Sequence, residues 1–361
     1  MTTLFDGITA RRVSAGRLQA NVLERTPAPE QTVAPEQTAT IAFIHGNVSS
    51  SSFWQPVMLM LPSHLRVLAI DLRGFGDSET LPVDATRGLA DYSDDVAAVL
   101  DALEVDRVHL VGWSMGGGVV MRYLIDHPQQ VASLTLVSPV SPFGFGGTGG
   151  IDGRMLTTDA AGCGAGGANP DFIARIVAED RTDAAPTSPR SVFRSSYVAE
   201  GYQSEHEDLW VESMLTTAIG EGNYPGDSVA SESWPGFAAG KAGVLNTMAP
   251  QYFNASGIVD IADKPPVLWI RGVADVIVSD TSLFDLNYLG QLGVIPGWPG
   301  AETAPPQPMI AQTRAVLDAY RDAGGQVTEL ALQDCGHSPH LEHPDRFVAA
   351  VVEQLGLGQR N

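Results

Sequence analysis

A serine with glycine two places before it and two places after it, in Gly112-Trp113-Ser114-Met115-Gly116-Gly117, is where chemistry is most readily read in this chain. In a strand-turn-helix the serine of such a pattern occupies a tight turn, and the residues two away on either side must be small to avoid clashing. The turn lifts the hydroxyl clear of the sheet. It also aims the first amides of the next helix at whatever the serine attacks, where they stabilise negative charge. A serine hydroxyl is a weak nucleophile until a base takes its proton, and that base needs a carboxylate to hold its tautomer and stabilise the imidazolium. After such a turn the expected order along the chain is acid, then histidine.

Two positions meet that order. An apolar run at 267–270 leads into Arg271-Gly272-Val273-Ala274-Asp275, which sets a carboxylate just past a strand end, where catalytic groups collect on open α/β sheets. Asp275 is therefore the expected acid. Leu330-Ala331-Leu332 leads into Asp334-Cys335-Gly336-His337, so His337 is the expected base, in the loop after the last strand. Asp280 and Asp285 read as helix-start or solvated residues, and Asp334, three places before the histidine, as a loop cap. His340 reads as a packing or bonding neighbour, and His343, followed by Pro344, as a helix entry. His45, His64, His109, His127 and His206 read as packing or surface residues, and none has metal-ligand spacing with an acid.

Acyl transfer also needs two donors for the oxyanion. The amide of Met115, next after the serine, is one. The other is expected from the loop after the first parallel strand, at the amide of Asn47, with Val48 as the neighbour that could replace it. Cys335 lies beside the histidine, yet no second histidine is placed against it, so it reads as a packed thiol.

The elements that must position these residues follow from short apolar runs alternating with helical periodicity. Strands are predicted at 41–44, 66–70, 107–111, 134–137, 266–270 and 327–332, and one or two antiparallel edge strands within 8–25. Helices are predicted at 53–61, 92–103, 119–124, 312–323 and 346–355, and a surface loop at 26–38. Strand and helix alternate through the first half, which implies a parallel doubly wound sheet. After Ser141 the texture changes to glycine-rich stretches and scattered aromatics up to about Ile261, and this reads as an insertion. The division expected is a first core part at 1–141, a lid at 142–262 and a second core part at 263–361. The lid's aromatics should mostly form its own small core, with a few lining a pocket. The Gly/Pro-rich stretch from 290 to 308, with Trp298 in it, is longer than most connections and is expected at the site rim. Val48, Trp113, Trp210 and Trp298 are the expected pocket residues.

At 361 residues and 44% hydrophobic content the chain can bury one large core with a sizeable insertion. A formal net charge of -21 without a Lys/Arg cluster argues against nucleic-acid and anionic-membrane partners. Two cysteines are too few for a disulfide framework and lack zinc-site spacing. The N-terminus lacks a basic start followed by an apolar stretch, and no run reaches membrane-span length, so a cytoplasmic location is expected. No metal or cofactor is expected, and the oligomeric state is left open.

Taken together, His45-Gly46-Asn47, the loop at 71–78, the 112–117 turn, Asp275 and Gly336-His337 resemble the α/β-hydrolase superfamily across about 40–141 and 263–358. The resemblance implies an eight-stranded, mostly parallel sheet with helices on both faces, a large lid inserted after the sixth strand, and a Ser114-Asp275-His337 triad. Dehalogenases and epoxide hydrolases of this superfamily carry aspartate where Ser114 stands, which disfavours those activities here. The expected reaction is hydrolysis of a small-molecule carboxylic ester or lactone through a serine acyl-enzyme. The aromatic-rich lid would suit a bulky or macrocyclic lactone such as a zearalenone-type resorcylic lactone. The alternatives are a carbon-carbon bond hydrolase, perhydrolase or lyase on the same fold, and a non-catalytic ligand receptor.

Overall fold

The computed structural model describes residues 3–25 and 39–356, so the loop expected at 26–38 lies outside the described residues. The chain opens with an antiparallel hairpin, β1 (Ile8–Ser14) and β2 (Gln19–Arg25). It then alternates: β3 (Thr40–Ile44), α1 (Gln55–Met60), β4 (Arg66–Ile70), α2 (Ala90–Ala102), β5 (Val108–Trp113), α3 (Met115–Asp126) and β6 (Val131–Val137). Between β6 and the next strand of the main sheet lie two small antiparallel pairs and three short helices. These are β7 (Thr148–Gly149) with β8 (Arg154–Met155), α4 (Pro170–Val177), α5 (Pro189–Val192), α6 (Glu207–Leu215), and β9 (Ser228–Ala230) with β10 (Phe237–Ala239). The chain closes with β11 (Val267–Gly272), α7 (Leu286–Gln291), α8 (Met309–Asp322), β12 (Val327–Leu332), α9 (Pro339–Glu342) and α10 (Pro344–Gln354).

Eight strands make one sheet in the order β1-β2-β4-β3-β5-β6-β11-β12. The pairs β1/β2 and β2/β4 are antiparallel, and every other pair is parallel. The apolar runs lie where a two-sided sheet needs them: all five residues of β3 are buried, and only His109 of β5 and Ala132 of β6 are partly exposed. β3 sends the chain to β4 on one side and has β5 on the other, so the loops after β3 and β5 meet at the point where the strand order reverses. Crevices for ligands form at such points.

The predicted strands and helices are present with differences at their ends, and α7 and α9 lie outside the predicted helices. The stretch expected as one helix at 53–61 divides into a 3-10 turn (Ser51–Trp54) and α1, because Pro56 lacks the amide that would continue the ladder through it. β5 continues through Gly112 and Trp113, since pairing with β6 holds Trp113 opposite Val137. β6 starts at Val131, and α8 at Met309.

The segment between β6 and β11 is tied to the rest at several points. Ser50 and Ser213 share a hydrogen bond of 2.6 Å, the Tyr202 hydroxyl donates to Leu341 O at 2.8 Å, and the Gly146 amide donates to Gln307 Oε1 at 2.5 Å. Arg190 and Arg194 lace its helices to Glu207 at 2.6 and 2.8 Å.

Candidate active site

Ser114 stands between β5 and α3 at φ 57, ψ -120. Its backbone is pinned on both sides: its amide donates to Val137 O at 3.0 Å, and its carbonyl accepts from Val140 at 3.0 Å and Gly117 at 2.9 Å. The flanking glycines are required by contact. A Cβ on Gly112 would lie 2.2 Å from Gly116 O, and one on Gly116 would lie 2.4 Å from both Ile44 O and His45 O. The loop after β3 comes equally close, since a Cβ on Gly46 would lie 2.9 Å from the Ser114 Cβ. A positive φ at a non-glycine residue is costly and persists only where its surroundings enforce it, which these contacts do.

Past the end of β11, Asp275 uses both carboxylate oxygens. Oδ1 accepts from the amides of Ile277 at 2.8 Å and Val278 at 3.0 Å, and Oδ2 accepts from His337 Nδ1 at 2.8 Å. Both residues are buried, at 5% and 2% exposure. Donation from Nδ1 leaves Nε2 of a neutral His337 with its lone pair, the form a general base needs. Trp113, the residue before the serine, donates its indole N–H to His337 O at 2.8 Å, so the elbow and the histidine loop are bonded directly.

Ser114 and His337 line one cavity of about 670 Å³ together with Asn47 and Val48. Met115 is the first residue of α3 and lies outside the lining, with its side chain buried. Val48 has a positive φ of 46. Of the four residues expected at the pocket, Val48 and Trp113 line the cavity and Trp210 and Trp298 do not. Trp210 packs its ring 5.1 Å from that of Phe53 and donates to Ser204 Oγ, forming the small core that seats α6. Trp298 turns back on its own loop, donating to Ala304 O at 3.0 Å. Of the 290–308 stretch only Ile295 reaches the cavity, and the wall on that side comes from Ile277, Val278, Leu283, Phe284, Leu286 and Leu289. The glycine-rich stretches supply backbone wall at Gly146, Gly162, Gly164 and Gly167. Among the described residues, no Asp, Glu, Lys or Arg lines the cavity.

The competing residues are otherwise engaged. Asp280 Oδ1 accepts from the Ile310 amide at the start of α8. Asp285 caps α7 and accepts from the Gln307 amide at 2.7 Å; it is buried at 2% exposure, not solvated, and burial pushes its carboxyl up. Asp334 is exposed, and its carbonyl bonds to His343 Nε2 at 3.0 Å. His340 lies fully buried between Trp54 and Trp113, with ring centroids 4.2 and 4.8 Å away, and burial holds it well below the usual imidazole range. His45 donates from Nδ1 to Gly46 O at 2.7 Å and accepts the Leu72 amide at Nε2, 3.0 Å away, which braces the loop carrying Asn47. Cys335 and Cys163 are buried, unpaired thiols that burial pushes up, so neither is a ready nucleophile.

Two residues at the site escaped the sequence reading. Glu342 accepts from the Gly336 amide at 2.9 Å, Ser338 at 3.3 Å and Ala199 at 2.8 Å, holding the loop on both sides of His337 and fastening the insertion to it. Its signal was present: an acid in the first turn of a helix entered at Ser338-Pro339 is placed to take up the amides that precede that helix. The Tyr197 hydroxyl donates to Asn47 O at 3.0 Å and Val48 O at 3.2 Å. No sequence signal marks Tyr197, because its partners are carbonyls about 150 residues away.

A family model described as the alpha/beta hydrolase fold matches residues 39–211. Over these residues the chain matches that family, and its sheet has the α/β-hydrolase fold. It is 40% identical over 100 residues to the 2-hydroxymuconate semialdehyde hydrolase of Pseudomonas sp. (strain CF600), covering 27% of this chain and 35% of that one. The chain spans 42%, 35% and 27% of the lengths of three curated relatives it matches. Among solved structures, carboxylesterase CesB (YbfK) from Bacillus subtilis superposes with a TM-score of 0.55 at 15% identity, covering 96% of this chain and 91% of that one. The 2-hydroxy-6-oxo-6-phenylhexa-2,4-dienoate hydrolase from Rhodococcus sp. strain RHA1 superposes with a TM-score of 0.54 at 17% identity, covering 97% and 99%. At these identities the likeness is one of fold.

Proposed function

We propose that this chain hydrolyses a neutral carboxylic ester or lactone through an acyl-enzyme on Ser114. The observation that carries the reading is the buried His337–Asp275 pair opening, beside Ser114, into a single cavity. Ser114 Oγ attacks the carbonyl carbon as His337 Nε2 takes its proton, and Asp275, accepting from Nδ1, stabilises the imidazolium. The amides of Met115 and Asn47, with Val48 beside the latter, are the donors for the oxyanion. His337 then returns the proton to the leaving alcohol, and water, activated by the same imidazole, releases the acid. With a lactone the alcohol stays tethered and the product is one hydroxy acid.

The uncharged wall supports the substrate class. A dienoate, as in the names of the carbon-carbon hydrolase relatives, carries a carboxylate, and burying one without a cationic partner is costly. A neutral ester or lactone meets no such penalty. A volume of about 670 Å³ suits a ligand of drug size, which favours the bulky end of the range, including a macrocyclic lactone of the zearalenone type.

A panel of short, long and aryl esters with small and macrocyclic lactones tests the reading on wild type and Ser114→Ala. Wild type is expected to turn over neutral members, and Ser114→Ala to lose at least about 10³-fold in kcat. Retained turnover in Ser114→Ala, or preference for a dienoate over every ester and lactone, overturns it.

A further inference from the structure

Most of the polar side chains that line the cavity are committed, apart from Ser114, the proposed nucleophile, and Asn47, whose buried Oδ1 has no partner among the described residues. Asn169 caps α4 through its side-chain oxygen, Thr187 bonds with Asp171 and Arg175, and Ser195 and Ser196 bond each other at 3.3 Å. Tyr197 serves the loop carbonyls at 47 and 48, and His337 serves Asp275. Tyr224 differs. Its residue is 6% exposed and lines the cavity, and its hydroxyl makes no hydrogen bond to the described residues. The backbone that carries the ring is anchored: the Tyr224 amide donates to Ala218 O at 3.1 Å, its carbonyl accepts from Gly220 at 2.9 Å, and Val244 N donates to Asn223 O at 2.9 Å. The ring therefore stands on an anchored stretch of chain at the cavity wall, and buried polar groups in native proteins are rarely left without a partner. Burial raises its pKa, so it stays a donor at neutral pH. The wall around it carries no charge that would draw an ion.

We infer that Tyr224 is a specificity-determining residue whose hydroxyl donates a hydrogen bond to an uncharged oxygen of the substrate, a ketone, ether or hydroxyl oxygen outside the scissile group. The inference rests on the ester and lactone reading above and adds a requirement to it: the substrate carries a second oxygen. A site with a buried donor discriminates against an analogue lacking the acceptor, because the donor is then desolvated without a partner.

The test uses p-nitrophenyl heptanoate and its monoketo analogues with the ketone moved along the chain, with wild type, Tyr224→Phe and Tyr224→Leu. Wild type should prefer at least one keto ester over heptanoate by about tenfold or more in kcat/KM, and in both variants that ratio should fall to about one. The ratio within one protein is unaffected by partial loss of folded enzyme. The same esters are titrated against Ser114→Ala with and without Tyr224→Phe, following tryptophan fluorescence. Ketone selectivity in binding that depends on Tyr224, without turnover by wild type, upholds this inference and overturns the hydrolase reading. Turnover with no ketone preference, or a preference that survives in Tyr224→Phe, overturns this inference and leaves the hydrolase reading intact.

Discussion

At the scale of single residues, the proposed acid and base are buried and held by specific hydrogen bonds. Asp275 spends one oxygen on the amides of Ile277 and Val278 and the other on His337, so the carboxylate cannot rotate away from the imidazole. An asparagine at 275 keeps the size but can present its amide group to Nδ1, which would move the imidazole proton to Nε2. Asp275→Asn is expected to fold as wild type, by circular dichroism, and to lose about 10⁴-fold in kcat on the best ester of the panel. A loss below about tenfold would remove Asp275 from the proposed role.

At the scale of elements, the histidine is placed less by its own strand than by the helix after it. Glu342 at the end of α9 gathers the amides of Gly336 and Ser338 and reaches across to Ala199 in the insertion. One carboxylate therefore fixes both the loop of the proposed base and the seat of the insertion. A glutamine at 342 retains one acceptor and turns an N–H₂ toward amides that have no other partner. Glu342→Gln is expected to cost about 1.5–3 kcal/mol of unfolding free energy in urea titration, the range for hydrogen bonds to a charged group. Its kcat should fall more than its KM rises, since the loop it holds carries the proposed base and not the cavity's apolar wall.

At the scale of the whole molecule, burial favours the neutral form of three histidines, two fully buried and His109 half-buried on β5. Burial lowers His45 and His340, and it lowers His109 to about 4. The unfolded chain binds protons at these positions near pH 6.5 and the folded chain does not, so their contribution to stability is complete above that pH and is lost as pH falls below it. The buried carboxyls of Glu342 and Asp285 are raised and act in the opposite sense, losing stability as pH rises. The contribution of one histidine is therefore read as a difference between two proteins. His340→Phe, which keeps a ring between Trp54 and Trp113, is expected to show a smaller drop in Tm between pH 7.5 and pH 5 than wild type. Equal drops would mean that His340 takes up a proton in the folded state.

Much of this was legible in the sequence alone. The apolar runs, their alternation with helical periodicity and the two glycines around Ser114 determined an α/β sheet and the elbow on it, because strand burial and turn sterics are local demands that residue type alone must meet. The placement of Asp275 and His337 was legible too, since each follows its own strand. What only the tertiary structure decided is how segments far apart in sequence meet. It packed Trp210 against Phe53, turned Trp298 back on its own loop, and brought Leu283, Phe284 and Tyr224 to the cavity instead. It also joined Glu342 to Ala199, and Tyr197 to the loop at 47–48. The physical reason is that an aromatic ring gains nearly as much by packing against other side chains as by lining a pocket. A carbonyl or amide, likewise, leaves no mark in the sequence of the side chain that will bond to it.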